Sequence, residues 1–527
     1  MLLKFSKILL HVSLFSAVVV MTSTFFPFIG GKDYFFRFSV ELALVFFILW
    51  WAFESNGDEA WHRIREACRK PLFVAVSAFV LAVLLASLFA YDPHAAFWSN
   101  YERGEGAFEM LHYYVFFSLL VVLFKKKEDW RLFFKTFLAV GTLMILYGVL
   151  ADTGIATNFI SQYQGAVQGG ADWYKPLANR FQGSLGNPAY VAPYLMFSLF
   201  YALYLWKTSK LSLQWLRTVT YGVPIFFLFL FFMVTQTRGA FVGLIIAAYV
   251  FLVFFGFMKP RFRLLSLGIL AVLLIFCGVL VYFRLNPSLQ SFPGGRMFDI
   301  PIGDKPLVAL GVFALAAGAI VEFARERKFL WWVLAGLVAV AFSSGTYAIT
   351  SGKISLADPT TSTRFWTWGS AWQGIKERPV LGWGPENFST VFDKYFDPRH
   401  FIPGQSTETW FDRAHSIYFD YLAETGVLGL ATYIGIFVLL YMGFLGRKMM
   451  HAQNFSATEK GLLVALPIGY LVQGVAIFDV LPVYINLFAF FAFGYYCLYS
   501  RGDSAQGISS HDVPLRQAAH KNNTAGQ

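Results

Sequence analysis

Apolar runs of about twenty residues, the length that crosses the hydrocarbon core of a bilayer, recur along nearly the whole chain. They place spans at 8–28, 35–52, 72–90, 107–124, 132–151, 188–206, 219–236, 239–257, 264–283, 306–323, 329–350, 427–446, 461–479 and 482–500. Hydrophobic residues make up 57% of the chain and charged residues 14%. Soluble domains sit near 45–50% and about 25%, so the excess is too large for a soluble core. The expectation is an all-α, polytopic integral membrane protein of about fourteen transmembrane helices.

The charges fix an orientation. Basic residues fall in every second connection: Lys4 and Lys7; Arg63, Arg65, Arg69 and Lys70; Lys125, Lys126, Lys127 and Arg131; Lys207, Lys210 and Arg217; Lys259, Arg261 and Arg263; Arg325, Arg327 and Lys328; Arg447, Lys448 and Lys460. Short basic connections stay cytoplasmic, so the alternation predicts an even count with both termini inside. The net charge of +11 is then a topology signal, not a nucleic-acid surface, and no nucleic-acid partner is expected. Cys68, Cys277 and Cys497 lie far apart and suggest no disulfide framework. The first run follows Lys4 and Lys7, lacks a small-x-small cleavage site and reads as a retained helix. Residues 1–500 form the expected membrane domain, and the polar stretch 501–527 reads as a disordered cytoplasmic tail. The longest outer connection, 351–426, is rich in aromatic residues and is expected to be an ordered loop carrying short interfacial helices.

Four outward clusters carry the chemistry. In Thr235–Gly243, Arg238 sits at the first turn of an inward-running helix, where free N–H groups and the helix dipole favour an anion such as phosphate. An interfacial Arg snorkelling to headgroups fits the same position. In Thr363–Pro379, Arg364, Trp368, Ala371, Trp372 and Ile375 share one helical face, with Ser362 as the expected cap. That face suits a helix lying in the interface and holding Arg364 at headgroup depth, and an aromatic-belt helix with a surface Arg fits it too. In Trp410–Leu430, Asp412 is the expected N-cap, Gly426 the expected C-cap, and His415 shares a face with Tyr418. A neutral His415 there serves as base or acceptor, or simply packs at the interface. Arg180 and Asn187 flank a Gly/Asn/Pro turn entering the next span. No His/Asp/Glu group has metal-ligand spacing and no phosphate-binding glycine loop occurs, so neither metal nor cofactor is expected. Intramembrane carboxylates are sparse, with Glu41 and Glu322 near helix ends, which argues against an ion-coupled transporter or flippase.

In that order, Arg180–Pro188, Thr237–Gly243, Arg364–Gly384 and His415–Leu430 resemble the O-antigen ligase and O-antigen polymerase superfamily of bacterial membrane glycosyltransferases. Most specific are the Pro-x-x-Gly-x-Gly run at Pro379–Gly384 and the Glu-x-Gly-x-x-Gly-Leu run at Glu424–Leu430. Ser416 departs from the Asn that often follows the histidine. The resemblance implies an inner-membrane enzyme of lipopolysaccharide or polysaccharide biosynthesis. It would move glycan, without metal and with inversion, from an undecaprenyl-diphosphate donor to a hydroxyl of lipid A core, another glycan or a protein. These acceptors separate a ligase from a polymerase and from a protein O-oligosaccharyltransferase. His415, Arg364 and Arg238 are the implied catalytic residues, and Arg180, Arg413, Trp368, Tyr418 and Asn187 the implied substrate contacts.

Overall fold

The computed structural model describes residues 1–21, 23–24, 26–55, 57–99, 104–153, 180–259, 359–401, 409–452 and 454–500. The helices are α1 (Leu2–Ser13), α2 (Gly30–Phe53), α3 (Gly57–Cys68), α4 (Pro71–Leu88), α5 (Pro93–Trp98), α6 (Ala107–Leu123) and α7 (Lys127–Asp152). There follow α8 (Pro188–Thr208), α9 (Gln214–Val234), α10 (Arg238–Met258), α11 (Pro359–Glu377) and α12 (Phe388–Lys394). The last are α13 (Ile417–Phe444), α14 (Arg447–His451), α15 (Ala457–Gln473) and α16 (Leu481–Tyr495). No strand occurs among the described residues. Eight of these helices (α2, α4, α7, α8, α9, α10, α13 and α16) are long and apolar enough to cross a membrane, and α6 is a shorter apolar helix. The expected spans 264–283, 306–323 and 329–350 and the tail lie outside the described residues.

Two expected spans differ in form. The run at 8–28 is not one helix: α1 stops at Ser13, a 3₁₀ turn covers Leu14–Val18, and Val19 is extended. The break strands backbone carbonyls. The buried Lys32 Nζ takes two of them, donating to Ala17 O at 3.0 Å and Val19 O at 2.5 Å, and Ser184 Oγ also donates to Ala17 O at 2.7 Å. Unsatisfied carbonyls are costly in an apolar bundle, which explains a lysine at this depth. The run at 461–479 ends as helix at Gln473. The chain then unwinds to receive α13, whose first N–H, from Ile417, donates to Gly474 O and Ile477 O, each at 2.9 Å. Asp479 therefore lies in a connection, outside the spans.

α16 is the central pillar, with every residue but Tyr484 buried, whereas α9 carries Phe226, Phe227 and Phe229 on an exposed face. α10 crosses α15 where Gly243 and Gly469 meet, and a Cβ on Gly243 would stand 2.5 Å from Gly469 O. Small residues at such crossings let backbones approach closely.

Contacts sort the connections to two ends. At one end the N-terminus pairs with Glu54 at 2.8 Å, Lys7 with Asp129 at 2.8 Å, Lys127 with Glu459 at 3.5 Å and Lys210 with Glu128 at 3.6 Å. The other end gathers the segments 89–99, 104–106, 180–187, 235–237, 378–401, 409–416 and 474–480, through the contacts described below. Charged pairs also lie in the outer turns of α2 and α6, where Arg37 binds Glu109 and His112 Nε2 meets Glu41 at 3.0 Å. The sequence reading saw the carboxylates as sparse and missed this pairing across helices.

Candidate functional site

α11 and the segments after it build a small layer with its own core of Ile375, Trp383, Phe388, Val391, Phe392 and Phe411. Glycines dock this layer onto the bundle. α13 bends at Gly426, whose φ of 64° and ψ of −168° are conformations other residues resist. The bend interrupts the helical ladder, and Pro379–Gly384 repairs it main chain to main chain. Trp383 N–H donates to Ala423 O at 2.9 Å and Gly384 N–H to Glu424 O at 2.8 Å. Val427 N–H donates to Pro379 O at 2.8 Å and Leu428 N–H to Val380 O at 3.2 Å. Gly382 and Gly384 have φ of 69° and 97°. A Cβ on Gly382 would lie 2.5 Å from the Glu424 carbonyl carbon, and one on Gly426 would overlap Val380 O. The glycines of both sequence runs thus serve one joint.

Arg413 sits beside that joint, 9% exposed, among three buried carboxylates. Nη1 donates to Glu424 Oε1 at 2.9 Å and Oε2 at 3.1 Å; Nη2 donates to Glu105 Oε2 at 3.3 Å and to Glu386. Glu105 Oε1 also takes the N–H of Leu481 at 3.1 Å, and Glu386 Oε2 accepts from Ser99 Oγ at 2.9 Å. Burial alone would loosen the guanidinium's proton, but Glu386, Glu424, Glu105 and Asp420 together hold its pKa well above the ordinary value. Arg413 therefore ties the loops before α6 and after α11 to α13.

His415 follows two residues later. The structure corrects its expected place: α13 begins at Ile417 with Ser416 as N-cap, so His415 precedes the helix and Asp412 does not cap it. His415 has φ of 56°, which swings its side chain away from the helix axis. Asp420 Oδ1 holds the turn by accepting the Ala414 N–H at 2.6 Å. The imidazole stands between Phe411 and Phe478, with centroids 5.1 Å from each and near-perpendicular planes. Nδ1 is 3.1 Å from Arg413 O. A carbonyl only accepts, so Nδ1 carries the hydrogen, and a neutral ring leaves Nε2 as the lone-pair nitrogen.

α11 starts at Pro359, ahead of the expected cap Ser362. Its face is as read for Ala371 and Ile375, which are buried, but Trp372 is 51% exposed. Trp368 Nε1 donates to Ala414 O at 2.8 Å, and its ring stacks on Phe419 at 5.2 Å. Arg364, half-buried, lies one turn earlier on the same face as Trp368.

The second arm lies at the same end. Thr235, Gln236 and Thr237 form a tight turn, with Gln236 at φ 50°, and α10 begins at Arg238. Arg180 Nε donates to Thr235 O at 3.1 Å, and Thr237 Oγ1 to Pro188 O at 3.1 Å. The pKa of Arg180 falls below its ordinary value, first through burial and then through the charge of Arg238 beside it. Two guanidiniums close enough to repel mark a place suited to an anion. Asn187 caps α8 by accepting the Ala189 N–H at 2.9 Å, and Tyr418 donates to Leu471 O at 2.8 Å, so both side chains hold local structure. The arms meet at Phe478, whose ring centroid lies 5.8 Å from that of Tyr190 and 5.1 Å from that of His415.

Sequence reasoning missed Glu105, Glu386 and Asp479. Asp479 is buried and accepts from Tyr470 OH, which lies 2.5 Å from Tyr433 OH. Burial, opposed by that hydrogen bond and reinforced by Asp420 and Glu105, pushes its pKa up to about 7. Glu105, between two glycines, and Glu386, beside Pro385, gave only loop signals.

Fold and site together define an all-helical membrane-spanning protein with a basic pair and a histidine at one end of its bundle. Residues 304–434, about a quarter of the chain, match the family model Wzy_C, described as O-antigen ligase. The match takes in Arg364, Gly382, Gly384, Arg413, His415 and Gly426, while Arg180 and Arg238 lie before it. No curated protein matches the chain with significance. The match supports activity of the ligase or polymerase type of glycosyltransferase, with lipid-linked glycan as its substrate class.

Proposed function

We propose that the protein transfers a glycan from an undecaprenyl-diphosphate-linked donor to an acceptor hydroxyl on the periplasmic face of the bacterial inner membrane. The observation that carries this reading is the hydrogen bond of Arg180 to Thr235 O, in the turn that leads into Arg238 at the start of α10, at the same end of the bundle as His415. The basic connections at the opposite end support a cytoplasmic placement there, with both termini inside. Arg180, Arg238 and the first N–H groups of α10 hold the diphosphate. Arg364 approaches from α11 and stabilises the charge that builds on the leaving oxygen. The acceptor oxygen bonds to the anomeric carbon as the carbon–phosphate oxygen bond breaks, and the diphosphate leaves with that electron pair. The hydroxyl proton passes to His415 Nε2. A single displacement inverts the anomeric centre. In this reading Arg413, Asn187 and Tyr418 position the site, and Trp368 fixes the carbonyl before His415.

The test is purified full-length protein in nanodiscs, given labelled undecaprenyl-diphosphate glycan with lipid A core, a glycan or a protein as acceptor. Label on one of these identifies ligase, polymerase or protein transferase. Arg238→Ala, Arg364→Ala and His415→Ala should each abolish transfer while the protein still inserts and folds. Full activity in His415→Ala removes it as the base. Chelator should leave turnover unchanged, and rescue of a treated sample by metal would refute the metal-free route.

A further inference from the structure

Behind the point where the two arms meet lies a small cavity bordered by Lys32, Asp33, Glu105, Leu185, Tyr190 and Leu481. Its volume of about 20 Å³ accepts one water-sized group. Asp33 is 2% exposed, and neither of its carboxylate oxygens has a hydrogen-bond partner. Neighbouring cations are engaged elsewhere: Lys32 on the carbonyls of Ala17 and Val19, and Arg37, one turn further along α2, on Glu109 and Gly104 O. A buried carboxylate without a donor is costly, so this position is built to receive one. The cavity shares residues with the surroundings of the proposed reaction centre: Tyr190 packs on Phe478, which also meets His415, and Glu105 binds Arg413.

We infer that this cavity is a subsite for a single sugar hydroxyl, with Asp33 as its acceptor and Tyr190 beside the sugar's apolar face. A hydroxyl fits the volume, supplies the missing donor and brings no charge. An ammonium of the size of a lysine head would supply donors too, but it would have to share the space with the Lys32 cation. Both glycans of the reaction carry hydroxyls, and the kinetic arms below separate them. This inference rests on the transferase reading.

The experiment uses the full chain in nanodiscs, with undecaprenyl-diphosphate glycan as donor and lipid A core as acceptor, and compares wild type with Asp33→Asn and Ile29→Trp. The first keeps the shape of the side chain, and the second narrows the cavity, which the half-buried Ile29 also borders. Thermal melts confirm that both variants are folded. Loss of the hydrogen bond to Asp33 predicts a rise of up to about tenfold in one KM, with kcat little changed. A rise in the acceptor KM assigns the subsite to the acceptor, and a rise in the donor KM to the donor glycan. Unchanged KM values in both folded variants overturn the subsite and leave the cavity to an ordered water only. If wild type labels a glycan or a protein instead, that acceptor replaces lipid A core in the same assay; if it transfers nothing to any of the three, the transferase reading has failed separately. Equilibrium binding of the same two probes then decides: weaker binding to both variants supports the subsite, and equal binding overturns it.

Discussion

Replacing Arg413 with methionine keeps much of the side chain's length and removes its charge. Glu105, Glu386 and Glu424 would then face one another at 4%, 5% and 8% exposure, with their shared cation gone. Breaking a buried ion pair by deleting one partner costs about 3–5 kcal/mol. The three contacts share one guanidinium and do not add, so the expected loss stays near that range. Against a typical stability of about 5–15 kcal/mol this is a large fraction. Denaturant unfolding of the purified protein, followed by tryptophan fluorescence, measures it. Arg413→Met with Glu424→Gln should lose less than the two single changes combined, by about 0.5–3 kcal/mol, because the second change relieves repulsion left by the first. Transfer should fall through kcat, since Ala414 and His415 lose their anchor, while the donor KM holds. Wild-type stability together with a tenfold rise in donor KM would refute this argument and make Arg413 a substrate ligand.

Gly426→Ala should cost at least about 1–3 kcal/mol from backbone strain alone, with more from overlap with Val380 O, read as a lower melting temperature. Asp479→Asn should stabilise the protein at pH 8. The folded-state pKa of about 7 lies above the ordinary 3.8, so ionisation erodes stability as pH rises from about 4 to about 7. The gain, at most about 4 kcal/mol, should vanish below pH 4, and a gain independent of pH would contradict it. Arg180→Ala and Arg238→Ala should each weaken equilibrium binding of the donor about tenfold or more, with the double variant worse by less than the product if both grip one diphosphate. Cysteines at Lys394 and Lys210, which are 47% and 76% exposed, should react with an impermeant maleimide from opposite sides of the membrane, and labelling from one side would overturn the topology.

Length and apolarity made the spans legible, because twenty-residue runs are a local property. The break after Ser13 was not, since it depends on Lys32 reaching back to Ala17 and Val19. The glycines of Pro379–Gly384 and Glu424–Leu430 stood out in the sequence as separate runs, but only the fold shows them closing a single joint. Arg413 carried no local sign of its burial, because Glu105, one of its partners, comes 308 residues earlier. His415 could be nominated from its neighbours, yet its left-handed backbone and its place ahead of α13 follow from the Asp420 and Arg413 contacts. Arg180 and Arg238 were read as separate motifs, and the turn at Thr235–Thr237 brings them together.

The bond between the loop and the bend at Gly426 is written almost entirely in main chain. Such a seam is blind to the identity of most side chains it crosses. A saturation scan over 379–384 should therefore return an uneven map. Val380, 65% exposed, and Leu381 should accept nearly any residue that keeps the turn closed by Gly382 N–H on Arg378 O. Gly382 and Gly384 should form empty columns, flanking a Trp383 whose Nε1 donates to Gly374 O at 2.9 Å and tolerates little. Diversifying lineages could rewrite the exposed surface of this segment freely while the spacing of its glycines stayed frozen, so that spacing is a better search key for relatives than overall identity.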